Sequence, residues 1–377
     1  MTNGQKTVAF VWDNFGPMHA DRCDAVAAAL GPSGSVVGIE ISASSQEYAW
    51  NSETGGRFRK ITLYPGKGWQ QASALNMARR IVSTCRASGV SDVFLCNYDK
   101  PGIFLAGLML RALGRRVYVM GCSKFDDLTR NVWREAMKRF FFLPYQGAIA
   151  SGKRSRDYMR FMGIPERRIA AEYNTLSLDR ILSMGGGVAA PDGTPFEERH
   201  FTIVARFIPK KNIATALEAY SQYRNTAAHP RPLHLCGSGP LENELRQKVE
   251  ELQLGDSVVF RGFLQTDGIA RVLATSLALI LPSTEEQFGN VVIEAQAMGL
   301  PVILSDNCGA RDNLVRSGVN GFVVEPDNPS GMAFFMKVLS DDEDIWRRFS
   351  KKALEFGKLG DTAQFASAAL KLTGSVA

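Results

Sequence analysis

The chain has 377 residues, room for two ordinary domains, and its 45% hydrophobic and 22% charged residues exclude a disordered or fibrous protein. No apolar run reaches the ~20 residues of a membrane span, and the amino terminus MTNGQKTVAFVWD lacks the basic and apolar regions of a secretory signal. Six singly placed cysteines and four histidines leave no zinc or redox spacing, so reduced thiols in a cytoplasmic protein are expected. The net charge of +6 is uneven: residues 111–168 hold 14 Lys and Arg against 5 Asp and Glu, a surface for an anionic partner or a merely solvated basic face.

Strand-length apolar runs begin at Thr7–Asp13 and recur at Val36–Ser42, Val93–Asn97, Arg116–Gly121, Gly147–Ser151 and Ile169–Asn174. Helix-length stretches such as Asp21–Leu30 and Ile103–Leu113 lie between them. Continuous apolar strands alternating with helices predict a parallel sheet covered on both faces. Met184–Pro195, rich in Gly and Pro and without periodicity, reads as a linker over 184–195. The pattern then repeats at Phe201–Arg206, Leu233–Gly237, Val258–Phe263, Leu277–Pro282, Pro301–Asp306 and Gly321–Glu325. The expected fold class is α/β, with two doubly wound Rossmann-like domains at 1–183 and 196–360. A helical stretch at Ser340–Phe356 and a glycine-broken segment precede a final amphipathic piece within 361–377, which either covers its own domain or returns to the first.

Doubly wound domains bind ligands at the carboxyl ends of their strands. The first such loop, Asn14–His19, carries Gly16, either a simple turn or a point of close approach to a ligand beside a helix start. It is not a GxGxxG fingerprint, and His19 faces either ligand or solvent. After the strand at Phe201 come Arg206, Lys210 and Lys211, three cations beside a helix start that the helix dipole disfavours unless an anion joins them. In Pro282–Ala295, Gly289 and Asn290 open a helix predicted to run to Met298, a seat for a diphosphate. Glu294 lies one turn in, roughly 6 Å away, where it suits ribose hydroxyls, and Glu286 flanks the other side, where it suits hydroxyls at the ligand's far end. The plainer alternative is that Glu294 pairs with a lysine and Glu286 caps its loop.

Together these residues resemble the retaining, nucleotide-sugar-dependent glycosyltransferases of the GT-B fold, family 4. The E-x7-E pattern is met by Glu286 and Glu294 with Phe288-Gly289 inside it, and the Arg and Lys after the second domain's first strand by Arg206 and Lys211. The Gly-x-Gly-Pro turn matches Gly237-Ser238-Gly239-Pro240. The later signatures match Gly309, Gly318-Val319-Asn320-Gly321 and Pro326-Asp327, and Ser151–Asn174 looks like the family's serine-headed helix segment followed by Gly163-Ile164-Pro165. The likeness covers nearly all of 147–327; the first 146 residues match in layout only.

The resemblance implies transfer of a hexose-type sugar from a UDP- or GDP-sugar to a hydroxyl of a glycan or lipid-linked acceptor, in a cleft across which the two domains face. Glu286 would hold sugar hydroxyls and Glu294 the ribose, with Gly16, Phe288, Gly289 and Asn290 on the donor and the base read near Gly262-Phe263. Arg206 and Lys211 would stabilise the departing diphosphate, so Arg206, Lys211 and Glu286 are the expected catalytic residues. Neither a cofactor nor a metal is expected, and the acidic run Asp341–Asp344 reads as a solvated helix start. Gln287 stands where the family often has Gly. Gly121-Cys122-Ser123-Lys124 replaces a histidine of many relatives, which leaves Lys124, Asp126 or Asp127 for the acceptor side, and Tyr173–Ser177 is also altered.

Trp133–Pro144 mixes cations with Phe140-Phe141-Phe142, either core side chains before a buried strand or an interfacial helix in peripheral contact with an anionic membrane, on its inner face. The rival readings are a nucleotide-sugar epimerase of related fold and a non-enzymatic two-lobed sugar- or nucleotide-binding protein. No recognised module or aromatic-interleaved basic loop points to nucleic acid.

Overall fold

The computed structural model describes residues 6–43, 56–66, 73–127 and 130–374. The chain forms two compact units, residues 1–175 with 362–377, and residues 176–361.

In the first unit the elements run β1 (Lys6–Trp12), α1 (Pro17–Leu30), β2 (Gly34–Ser42), β3 (Arg59–Tyr64), α2 (Ala74–Ala87), β4 (Asp92–Leu95), α3 (Pro101–Ala112), β5 (Arg116–Gly121), α4 (Val132–Lys138), β6 (Ala148–Ala150), α5 (Gly152–Phe161) and β7 (Ile169–Ala170). The strands form one parallel sheet in the order β3-β2-β1-β4-β5-β6-β7. Alternation along β1 sorts its side chains into two cores. Val8, Phe10 and Trp12 meet Phe15, Cys23 and Val26 on one face, while Ala9 and Val11 join the Met77, Ile81 and Ile103 cluster on the other. Pro17 and Pro101 occupy first-turn positions where a missing N–H costs nothing, so α1 and α3 begin earlier than their apolar runs suggest.

Strand β3 escapes a reading by hydrophobicity because it is a basic edge strand, RKITLY, largely half-buried. Its anchor is Glu40 of β2, which is fully buried, accepts from Thr62 Oγ1 at 2.7 Å and pairs with Lys60 at 3.2 Å. Glu40 also accepts from the Phe15 N–H at 2.8 Å and so holds the β1–α1 loop.

The second unit runs α6 (Leu178–Met184), β8 (His200–Val204), α7 (Ile213–Thr226), β9 (Leu233–Cys236), α8 (Glu242–Glu251), β10 (Val258–Gly262), α9 (Thr266–Ala274), β11 (Ser276–Leu281), α10 (Val291–Ala297), β12 (Val302–Ser305), β13 (Gly321–Val324), α11 (Pro329–Asp341) and α12 (Glu343–Gly357). Its sheet is parallel in the order β10-β9-β8-β11-β12-β13. Every residue of β11 is buried, and Trp346 of α12 donates its ring N–H to the Leu277 carbonyl at 2.8 Å. The stretch read as one helix from Ser340 is two, divided at Asp342, whose side chain caps α12 by accepting from Ile345 N–H at 2.8 Å.

The expected linker at 184–195 is instead part of the second unit, and the division falls at 175/176. Ala190 N–H donates to the Met298 carbonyl at 2.8 Å. The fully buried Arg199 binds the carbonyls of Asp192, Thr194 and Ser276 at 2.9, 3.0 and 2.8 Å while lying over the Trp346 ring. Gly/Pro composition marked irregular backbone, not a free tether. The last helix, α13 (Thr362–Thr373), belongs to the first unit. It packs along α1, buries Phe365 against Phe10 at 5.4 Å and receives a hydrogen bond from Tyr118 OH at the Leu372 carbonyl, 3.1 Å. Among the described residues no helix is long and apolar enough to cross a membrane.

Candidate functional site

The carboxyl ends of β8 and β11 carry the densest set of predicted residues, and the loops that follow are tied together by backbone and amide bonds. Strand β8 leads through Ala205 and Arg206 into a short turn, Pro209–Lys211. Asn212 then adopts the left-handed conformation (φ 53°) that asparagine tolerates, and its side-chain amide donates to the Pro282 and Pro326 carbonyls at 3.1 and 2.7 Å. Thr284 N–H donates to the Lys210 carbonyl at 2.9 Å. These bonds bring Lys211 to Glu286, and the two form an ion pair with both side chains about 15% exposed or less.

The partner loop is fixed from its other side. Glu286 and Cys308 form a parallel bridge, with Gly309 N–H donating to the Glu286 carbonyl at 3.2 Å and Ala310 N–H to the Phe288 carbonyl at 2.8 Å. A Cβ on Gly309 would stand 2.0 Å from the Gln287 carbonyl oxygen, so only glycine permits this pairing. Gln287 itself is exposed and outside the positive-φ region, so this turn does not require a glycine there. Phe288 is buried, Gly289 turns the chain at φ 97°, and Asn290 is the residue before α10.

Arg206 is placed by the glycine turn after β9. A Cβ on Gly237 would lie 1.8 Å from the Ala205 carbonyl, and one on Gly239 2.5 Å from that of Phe207. Phe207 N–H donates to the Ser238 carbonyl at 2.9 Å. This close approach leaves Arg206 exposed, and no hydrogen bond or ion pair engages its guanidinium among the described residues. Phe263, just past β10, is also exposed, beside Gly262, whose carbonyl accepts from Gly237 N–H at 2.8 Å.

Glu294, in the first turn of the seven-residue α10, is half-buried. Among the described residues no hydrogen bond or ion pair engages its carboxyl. Burial pushes that carboxyl up to about 7, against the opposing field of Arg180 on α6. The expected lysine partner is therefore not there; the nearby cation is Arg180, which a boundary at residue 183 had assigned to the other domain. Only the packing of α6 on α10 reveals it.

The Gly318–Gly321 signature is architectural. Asn320 is fully buried, donates to the Leu314 carbonyl at 2.8 Å and accepts from Arg316 N–H at 2.8 Å. Pro326, of the Pro-Asp pair, contributes the carbonyl that anchors Asn212.

In the first unit the predicted residues are internally committed. His19 Nδ1 accepts from Gly16 N–H at 3.0 Å, His19 N–H donates to the Gly16 carbonyl at 3.0 Å, and the imidazole lies 4.6 Å from the Trp12 ring. Burial, reinforced by Arg22, holds its pKa well below the ordinary value, so the ring is neutral and serves as a cap for α1. Lys124 is almost fully buried and pairs with Asp126 at 3.1 Å; Asp126 also binds Arg154. Burial disfavours the Asp126 charge, but the bonds from Lys124 and Arg154 outweigh it and lower its pKa. Asp127 accepts from Lys124 N–H at 3.1 Å and pairs with Arg130. Among the described residues no three His, Cys, Asp or Glu side chains converge as metal ligands.

Residues 191–356 match the family described as glycosyl transferases group 1. An uncharacterized glycosyltransferase of Methanocaldococcus jannaschii is 31% identical over 150 residues, an alignment that spans 40% of this chain and only 38% of that protein. The 4-alpha-N-acetylgalactosaminyltransferase of Campylobacter jejuni that acts on N-acetylgalactosamine-N,N'-diacetylbacillosaminyl-diphospho-undecaprenol is 26% identical over 303 residues, 78% of this chain and 79% of that one. Among solved structures, Anabaena HepE, in complex with UDP and glucose, superposes with a TM-score of 0.71 at 15% identity over 98% of this chain and 100% of that one. At that identity the likeness establishes the fold.

Proposed function

Because residues 191–356 match the family described as glycosyl transferases group 1, we propose that the chain moves a hexose-type sugar from a UDP- or GDP-sugar to a hydroxyl of a glycan or lipid-linked acceptor, with retention at the anomeric carbon. The observation that carries this reading is the pair of unspent groups in the second unit: the exposed, unpaired Arg206 and the shielded, partnerless carboxyl of Glu294. A nucleoside diphosphate answers both, with phosphate for the guanidinium and ribose hydroxyls for the carboxylate. A carboxyl that burial penalises persists where a ligand's donors compensate it.

In this reading the bond between sugar and diphosphate breaks with negative charge growing on the phosphate, and Arg206 and Lys211 gain interaction strength as it does. Glu286 has two oxygens; one steers Lys211, and the carboxylate retains acceptor capacity for sugar hydroxyls. Phe263 offers an exposed ring beside the backbone that would read the base. Gly289 and Asn290 contribute shape more than dipole, since α10 is only two turns long. The charge is met by side chains, so the reading invokes no metal. The carboxyl ends of β8 and β11 thus hold the donor; in the first unit Gly16, expected on the donor, and His19, Lys124 and Asp126, expected on the acceptor side, make bonds within their own unit.

The epimerase reading needs an acid–base group over the sugar. His200 and His234 stack on each other, ring centroids 3.6 Å apart, at the amino ends of β8 and β9, opposite the site, and burial depresses them to about 4 and about 3. A thermal-shift panel of UDP, GDP, ADP and their sugars tests the proposal. One responding nucleotide family is expected, with about 2.7 kcal/mol of stabilisation at a hundredfold excess over the dissociation constant. A panel without a responder contradicts it.

A further inference from the structure

The segment formed by α4 and the turn after it, Arg139–Phe142, packs with its one carboxylate inward and several large apolar side chains outward. Glu135 is buried and accepts from Tyr158 OH at 2.6 Å, Arg130 at 3.0 Å and Lys138 at 2.7 Å. On the outer side Trp133 is 83% exposed, Met137 74%, Phe140 59% and Leu143 65%. Trp133, Met137 and Phe140 follow an i, i+4, i+7 spacing, so they form one stripe. Of the three consecutive phenylalanines, Phe142 alone is in the core; Phe141 is half-buried and Phe140 leans on Phe104 of α3 at 5.3 Å with its outer face bare. Arg134 and Arg139 border the stripe, both exposed, and neither is paired with a carboxylate among the described residues.

A helix that buries its carboxylate and exposes tryptophan, methionine and phenylalanine is inverted relative to a solvated surface helix, and such a patch marks a contact surface. Three features select its occupant. The unpaired Arg134 and Arg139, in the basic stretch 111–168, are complementary to an anionic partner. A second copy of the chain would set like charges against each other, and four side chains fall short of the roughly 1,200–2,000 Å² that a stable interface buries. Tryptophan beside arginine is the chemistry of the water–lipid boundary, where the ring and aliphatic stems sit in the interface and the cations meet headgroup phosphates.

We propose that this face, Trp133, Met137, Phe140 and Leu143 framed by Arg134 and Arg139, docks the protein on an anionic lipid bilayer. The inference stands on the first unit alone and does not depend on the donor reading. The test is co-sedimentation of the full chain, without nucleotide, with vesicles of equal parts phosphatidylglycerol and phosphatidylcholine and with phosphatidylcholine alone. Binding to the anionic vesicles at low salt is expected, with little to the neutral ones. Each cation near the surface is worth about a fivefold change in partition, so the R134Q/R139Q double variant should bind about twenty-five-fold more weakly. Trp133→Ser with Phe140→Ser should abolish the binding that survives high salt. All four positions are exposed, and an unchanged circular dichroism spectrum and thermal midpoint would show that the variants fold. No pelleting at low salt, or double variants that pellet like the parent, would overturn the proposal. So would a dimer in light scattering that the Trp133 and Phe140 changes dissolve without any vesicle binding, which would assign the face to a second copy.

Discussion

Glu294 carries a carboxyl that burial raises to about 7 from an ordinary 4.5. The folded chain then keeps a proton that the unfolded chain has lost, so this residue's contribution to stability falls as pH rises from 4.5 through 7. Glu294→Gln should therefore have a higher thermal midpoint than the parent above pH 7, and the difference should vanish below pH 4.5. Ligand binding should run the other way. A nucleotide sugar, whose diphosphate does not titrate near neutrality, should bind more tightly as pH rises through 7, because the carboxylate is the stronger acceptor for ribose hydroxyls. A flat titration across that range would place the ribose elsewhere. Glu286→Ala should lower turnover by roughly 10²–10³, by analogy with the loss of an oxyanion-hole donor, while nucleotide affinity is largely kept. Loss of nucleotide binding would instead make Glu286 part of the diphosphate seat. The position of the two acids and two cations was legible in the sequence because they sit in, or one turn beyond, loops that follow strand ends. Arg180 and Asn212 were not, since one acts through the packing of a distant helix and the other through carbonyls that only the folded loops bring near.

Elements set the site through backbone approach, and glycines report it. A Cβ on Gly309 would meet the Gln287 carbonyl at 2.0 Å, whereas one on Gly318, although at φ 78°, would meet nothing within 4 Å. Gly309→Ala should destabilise the chain by about 3 kcal/mol in urea unfolding and weaken turnover with it, because the Glu286 segment pairs through that position. Gly318→Ala should cost about 1 kcal/mol, the strain of a left-handed residue alone, and leave turnover intact. Equal costs would mean that the loop after β12 does not hold the loop after β11. The same scale explains where pattern reading failed. Strand β3 is recruited by buried Glu40 through Lys60 and Thr62, a long-range demand that no local run of apolar residues announces. The stretch 184–195 has the composition of a tether, yet Arg199 and Ala190 weld it to the second unit.

At the scale of the whole molecule, the two parallel sheets were legible from the repeated alternation of strand and helix, but the ownership of α13 was not. Its apolar stripe fits any apolar groove; the aromatic cluster around Phe10 and Trp12 provides the matching one. Phe365 is fully buried there, and losing a buried phenylalanine costs about 3–5 kcal/mol. Truncation after Asp361 should lower the melting of the first unit by about 10 °C and leave the second unit's transition in place. An unshifted transition would contradict the assignment of α13. Isothermal titration of UDP and GDP into the parent and Arg206→Ala tests whether Arg206 and Glu294 form the seat of a nucleoside diphosphate. One of the two nucleotides should bind the parent and bind the variant about ten- to a hundredfold more weakly, the loss of a charged hydrogen bond. Binding of neither nucleotide, or equal affinity in parent and variant, would contradict it.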